Sequence, residues 1–177
     1  KVCGSGMKSV HLGADLLRTG GATVVLAGGM ESMSNAPYLL PKARSGYRMG
    51  HQEVLDHMFY DGLQNPYDGQ MMGYFGEATA RRYSFSRTEQ DAFAIESVQR
   101  ALAAGKTGAF RDEIVPVTVK SRAGEAVVAD DEEPGRCDIQ RIPTMRPAFA
   151  KDGTGTAATS SSISDGAAAL LLMSAAE

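Results

Sequence analysis

Residues 2–29 read VCGSGMKSVHLGADLLRTGGATVVLAGG, and this stretch decides the fold. Met7, Val10, His11, Ala14 and Leu17 recur at three- and four-residue intervals, so Gly4–Gly21 predicts a turn entering a helix with one apolar stripe. Gly20-Gly21 is a natural helix stop. Thr23–Ala27 is then a short β-branched run bounded by glycines, the pattern of a buried strand. Helix, glycine pair, strand, glycine pair is the order of an α/β layer.

The same stretch opens on a cysteine. Cys3 stands at the start of the expected helix, where free backbone N–H groups and the positive end of the dipole favour a thiolate over a thiol. Gly4 and Gly6 leave room for a substrate to approach the sulfur. The same N–H groups can hold the oxyanion that forms when sulfur attacks a carbonyl. The competing reading is a small buried cysteine at a turn.

Outward from this segment the texture changes. Between about Met30 and Lys151, prolines (Pro37, Pro41, Pro66), tyrosines and mixed charges break any long period, which predicts an insertion into the α/β layer. Gly73–Tyr83 reads as helical within it. Ser86-Arg87-Thr88-Glu89 is a capping box for a helix running to about Ala104, with Gly105 as its stop. Glu113–Val119 and Ala126–Ala129 alternate as paired strands would. A Gly/Ser/Thr-rich loop, Gly153–Gly166, delivers the chain into Ala167–Met173, which by length is a buried strand and by composition a helix.

Composition narrows the function. The 177 residues suffice for a real core, and 43% hydrophobic with 22% charged residues is a soluble globular balance. A net charge of −3 argues against a nucleic-acid surface, and the apolar runs fall far short of a membrane span. Cys3 and Cys137 are the only cysteines, so no secreted disulfide framework is expected and a reducing cytoplasm is. The chain opens on Lys1, with no ordered scaffold before Cys3, and closes at Glu177 just after an apolar element. The expectation is an internal segment of a longer protein.

Three motifs in order carry a resemblance. Cys3-Gly4-Ser5-Gly6-Met7-Lys8, Ala27-Gly28-Gly29-Met30-Glu31-Ser32-Met33-Ser34 and Ser164-Asp165-Gly166-Ala167-Ala168-Ala169 are similar to successive signatures of the thiolase family. Asp61-Gly62-Leu63, Met72-Gly73, Glu89 to Ala94, Asp112 to Pro116 and Arg146-Pro147-Ala148-Phe149 match between them, so the resemblance covers essentially the whole chain. It implies a layered α/β/α core with an inserted α+β loop domain. Residues 1–30 and 152–177 would be part of the N-terminal core domain and residues 31–151 the loop domain that covers coenzyme A; the C-terminal domain would be absent. Cys3 would be the acylated nucleophile. Leu63, Met72, Ala148, Phe149, Ala157 and Ser161 would line the pantetheine and acyl channel, Ser161 bonding a pantetheine amide while Met72 and Phe149 wall the acyl pocket. Arg136, or next to it Arg141, would meet the nucleotide phosphate.

The resemblance further implies reversible formation and thiolysis of 3-oxoacyl-CoA, a place in fatty acid metabolism, a homodimer or homotetramer, and no metal or prosthetic group, with coenzyme A thioesters as substrates. The chain departs from the pattern in places. Met71 stands where short-chain members have His, Thr159-Ser160-Ser161-Ser162 replaces Asn-Ala-Ser-Gly, and Gly155 replaces a valine. The family's Asn-Glu-Ala-Phe, Gly-His-Pro and second Cys-x-Gly motifs are missing from this chain. His11 lies two turns from Cys3, roughly 12 Å along a helix, and reads as packed; His51 and His57 read as structural with no visible partner. The alternatives to a thiolase are a non-catalytic CoA-binding or assembly module derived from one, and a reactive-cysteine protein unrelated to coenzyme A.

Overall fold

A computed structural model describes residues 1–175. The chain forms two compact units, one of Lys1–Met72 with the chain from Ser162 onward, the other of Gly73–Ser161. The expected insertion spanned residues 31–151, whereas the second compact unit begins at Gly73 and ends at Ser161. Residues 31–72 fall in the same compact unit as Cys3. The last two residues of the expected 152–177 return lie outside the described residues.

In the first unit, helix α1 (Ser5–Arg18) lies on a two-stranded antiparallel sheet of β1 (Val24–Glu31) and β6 (Gly166–Met173). The register runs from Val24 opposite Met173 to Glu31 opposite Gly166. Ala167–Met173 is therefore a strand, as its length indicates. The face α1 presents is built from small residues more than from the expected apolar stripe. Gly13 is its buried residue, while Met7 and His11 are exposed. A Cβ on Gly13 would stand 2.9 Å from Leu172 Cδ1 and 3.0 Å from Val25 Cγ1. Ser9 Oγ donates to Gly28 O at 2.7 Å, tying the helix to the strand one turn earlier.

β1 and β6 do not come out as buried strands. Side chains alternate across a strand, and a single helix covers one face of two strands. Ala27 faces inward at 7% exposure, whereas Leu26 and Met30 on the opposite face are 73% and 82% exposed. Their neighbours Val24, Leu171 and Met173 share that uncovered apolar face. The rest of the unit is short pieces: β2 (Tyr38–Leu39) paired with β3 (Leu55–Asp56), and a π-helical turn at Met58–Leu63.

The second unit is carried by α2 (Met72–Arg82) and α3 (Arg87–Thr107). The Ser86–Glu89 capping box forms as read: Glu89 N–H donates to Ser86 Oγ at 3.2 Å and Ser86 N–H donates to Glu89 Oε2 at 2.8 Å. Gly105 does not end α3. The helix continues one turn to Gly108, whose φ of 68° makes it the left-handed cap. Arg87 closes the interior, with Nε 2.8 Å from the buried Asp91 and Nη2 donating to Ile142 O and Met145 O. The expected strand pair is a tight hairpin of β4 (Val117–Ser121) and β5 (Gly124–Val128), none of whose residues is buried. A single helical turn, α4 (Glu133–Arg136), follows.

Two glycines separate close approach from simple flexibility. A Cβ on Gly28 would overlap the Ala168 carbonyl oxygen across the β1–β6 ladder, whereas nothing lies within 4 Å of one on Gly105. Gly28→Ala is expected to cost about 1–3 kcal/mol, the usual penalty of overpacking. Gly105→Ala should instead stabilise α3 by about 0.5–1 kcal/mol. Urea titration read by hydrogen exchange in β1 and in α3 checks both signs.

Candidate active site

Cys3 lies in a 3-10 turn, Val2–Gly4, that runs directly into α1. Val2 holds φ at 49°, a left-handed conformation that a β-branched residue rarely adopts. That sharp entry sets Cys3 beside the first turn of the helix. No side chain caps α1, and no acidic residue stands in its first turn. The Ser5 N–H donates to Val2 O within the 3-10 turn, and no side chain caps the N–H groups that follow it. The helix start is pinned by backbone contact: a Cβ on Gly29 would lie 3.0 Å from Gly6 Cα and 3.2 Å from Gly6 N. Cys3 itself is exposed and carries a free thiol.

An open cleft of about 780 Å³ surrounds this turn. Cys3, Ser5 and Gly6 form one side; Gly29, Met30 and Met33 leave β1 along another; Met58 and Leu63 supply apolar surface from the π-helical turn; Ser164 to Ala168 close it. All three motifs that carried the resemblance therefore meet at one cleft. Leu63 lines it, while Met72 is not among its walls and follows a closed loop. Gln64 and Met71 bridge across that loop, and Asn65 N–H donates to Gln70 O at 2.8 Å.

His57 has a partner that sequence reading missed. Its Nε2 lies 3.2 Å from Asp61 Oδ2, one helical turn on, and both residues line the Cys3 cleft. The i, i+4 spacing was the readable signal. His11, expected to be packed, is exposed.

The other residues expected to line a channel belong to the second unit. Ala148 N–H donates to Gly155 O at 2.9 Å, folding Ala148–Gly155 into a closed loop. The Phe149 ring lies so close over Gly73 that a Cβ there would overlap it. Glu77, 2% exposed, organises the loop from below. Its carboxylate accepts from Thr154 N–H at 2.9 Å and from Gly155 N–H at 2.8 Å. Burial pushes this carboxyl up, but the Thr154 and Gly155 N–H bonds, the Thr154 hydroxyl and the Arg81 charge outweigh it and hold the group below its ordinary value. Nothing in the local pattern of α2 marks Glu77, because its partners return from about eighty positions later. Ala157 begins the short turn Ala157–Thr159, exposed, and Ser161 is exposed beyond it. Arg136 is a surface residue of α4, its Nη2 donating to Glu132 Oε2 at 2.9 Å. Among the described residues no cluster of His, Cys, Asp and Glu could hold a metal ion.

The family model for the thiolase N-terminal domain matches residues 1–176, and the chain belongs to the thiolase family. It is 50% identical over 179 residues to an acetyl-CoA acetyltransferase of Pseudomonas aeruginosa, covering 100% of this chain and 46% of that protein. A probable acetyl-CoA acyltransferase of Staphylococcus aureus (strain COL) is 47% identical over 98% of this chain and 45% of its own length. Among solved structures, an acetyl-CoA acetyltransferase from Syntrophomonas wolfei superposes with a TM-score of 0.88 at 43% identity, over 98% of this chain and 44% of that one. Acat5 thiolase from Ascaris suum, solved in complex with coenzyme A, gives a TM-score of 0.86 at 43% identity, over 99% and 44%. The chain thus spans less than half the length of these relatives, and its fold is part of the thiolase fold.

Glu77 sets a pH dependence whose sign follows from its lowered carboxyl. The ionised form contributes stability that is fully present above the unfolded-state value near 4.5 and is lost as pH falls through the lower folded value. Glu77→Gln, which turns an amide N–H₂ toward backbone donors, should cost about 1–3 kcal/mol near neutrality and flatten that acid limb. Urea midpoints between pH 3 and 7 provide the check.

Proposed function

We propose that this chain supplies the nucleophile half of a thiolase that transfers acyl groups between coenzyme A thioesters, with Cys3 as the residue that is acylated. The observation that carries the reading is the placement of Cys3 just before the start of α1, inside a cleft that the two remaining family motifs also help to wall. The Cys3 thiolate attacks the thioester carbonyl, the first N–H groups of α1 face the oxyanion, and coenzyme A leaves. A second thioester then loses an α-proton to a base, and its enolate takes the acyl group from sulfur. The reverse direction is thiolysis of a 3-oxoacyl-CoA.

Leu63, Met72, Ala148, Phe149, Ala157 and Ser161 would line the pantetheine and acyl channel, and Arg136 would turn from Glu132 to the nucleotide phosphate. The coenzyme A bound in the Ascaris relative supports the ligand class. No metal or prosthetic group is needed for either half-reaction. The uncovered apolar face of β1–β6 is where further chain or a second copy would pack, as a homodimer or homotetramer requires; the cytoplasm is the proposed location. The bases of both half-reactions lie outside the motifs this chain contains, so the 177 residues by themselves are expected to be silent in a thiolysis assay.

In the protein as the cell makes it, Cys3 should react with iodoacetamide near pH 7 faster than Cys137, and acetyl-CoA should protect Cys3 alone. Cys3→Ser should abolish acyl transfer and leave the urea midpoint nearly unchanged. Equal reactivity of the two cysteines, without protection, removes the assignment.

A further inference from the structure

At its open end, the β1–β6 ladder stops at Glu31 opposite Gly166. The next residues diverge, Ser32 on one strand and Asp165 on the other, and the Asp165 carboxylate spans the gap. Oδ1 accepts from Ser34 N–H at 2.9 Å, Oδ2 accepts from Ser32 Oγ at 3.3 Å, and Ser34 Oγ also donates to Oδ2. Asn35 extends the set, its Nδ2 donating to Ser32 Oγ at 2.7 Å. One carboxylate thus collects two donors from Ser34 in the short turn Met33–Asn35 and a third from Ser32, the residue that caps it. The Ser34 hydroxyl first, and then its N–H, hold this carboxyl below the ordinary carboxylate range.

The location gives the contact its meaning. Met33 and Ala36, which the clamped turn carries, line the Cys3 cleft, and so do Ser164, Asp165 and Gly166. Asp165 is therefore the point at which two walls of the cleft are fastened together, 162 positions from Cys3 in sequence and lining the same cleft. Without the carboxylate, the turn after β1 would keep few other ties. Asn35 N–H to Ser32 O at 3.3 Å and Ala36 N–H to Met33 O at 3.2 Å are internal to it.

We propose that Asp165 is a positioning residue for the Cys3 site, fixing the Met33 turn so that the cleft keeps one width at the sulfur. Its carboxylate touches neither the sulfur nor the reacting carbonyl; it acts through Met33 and Ala36. The inference deepens the thiolase reading by naming what shapes that site, and its first test needs no coenzyme A.

The readout is size selectivity at Cys3: the ratio of its alkylation rates with iodoacetamide and with the bulkier N-phenylmaleimide, with Cys137 as internal reference. Asp165→Ala should shift that ratio about threefold to tenfold, the weight of one net hydrogen bond, with the Cys137 ratio unmoved. Ser34→Ala, a milder change, should shift it in the same direction. The double variant should move it no further than Asp165→Ala, since both remove one interaction. Asp165→Asn can still accept from the Ser34 N–H and donate to a serine hydroxyl, and should restore most of the wild-type ratio. A lowered urea midpoint in Asp165→Ala and Ser34→Ala with an unchanged Cys3 ratio would overturn the proposal, as would additive effects in the double variant. Failure of acetyl-CoA to protect wild-type Cys3 would instead count against the thiolase reading and leave the Asp165 result standing.

Discussion

The site depends on a place where two backbones touch. At Gly6 and Gly29, helix α1 and strand β1 approach until a single methyl group on Gly29 would stand 3.0 Å from Gly6 Cα. Side chains ordinarily hold packed layers apart, by about 10 Å between stacked sheets; here their absence lets the helix start sit directly on the strand. Because Cys3 precedes that start by two residues, the contact fixes the sulfur relative to β1 and to everything β1 leads into. Gly13 and Gly28 extend the same constraint, one between helix and sheet, the other across the β1–β6 ladder. The cleft's three motifs are together because these glycines permit it.

The second unit has the same logic with a different agent. Glu77 is a buried carboxylate that would be costly alone, and the N–H groups of Thr154 and Gly155 reach it because the chain turns back beneath it. Phe149 is seated over Gly73 by that loop. A buried anion and a bare glycine thus place the segment that the thiolase reading assigns to the acyl channel.

Much of this was legible in the sequence, for reasons that particular residues make clear. α1, β1, α2 and the start of α3 are local: periodicity, glycine pairs and the Ser86–Glu89 box specify them without reference to distant chain. The end of α3 was misread because Gly105 is tolerated within a helix when its neighbours favour helix, while the conformation that stops the chain belongs to Gly108. β1 was read as a strand and β6 left open between strand and helix; neither is buried as read, since apolar runs report what a strand can pack against and not how many layers cover it. Cys3 stood out because its chemistry is set within five residues. Glu77 and Asp165 did not, because each works by gathering donors from far along the chain. His57 could have been paired with Asp61 by spacing alone; its place in the Cys3 cleft could not.

The central claim is that Cys3, held by the Gly6–Gly29 contact, is the atom that accepts the acyl group. The most direct measurement is peptide-level mass spectrometry of the protein as the cell makes it, quenched in acid after mixing with acetyl-CoA. The account predicts one acetyl group on the peptide bearing Cys3, none on that bearing Cys137, and a large loss of the adduct in Gly29→Val. Acetylation at Cys137, or at neither cysteine, would contradict it.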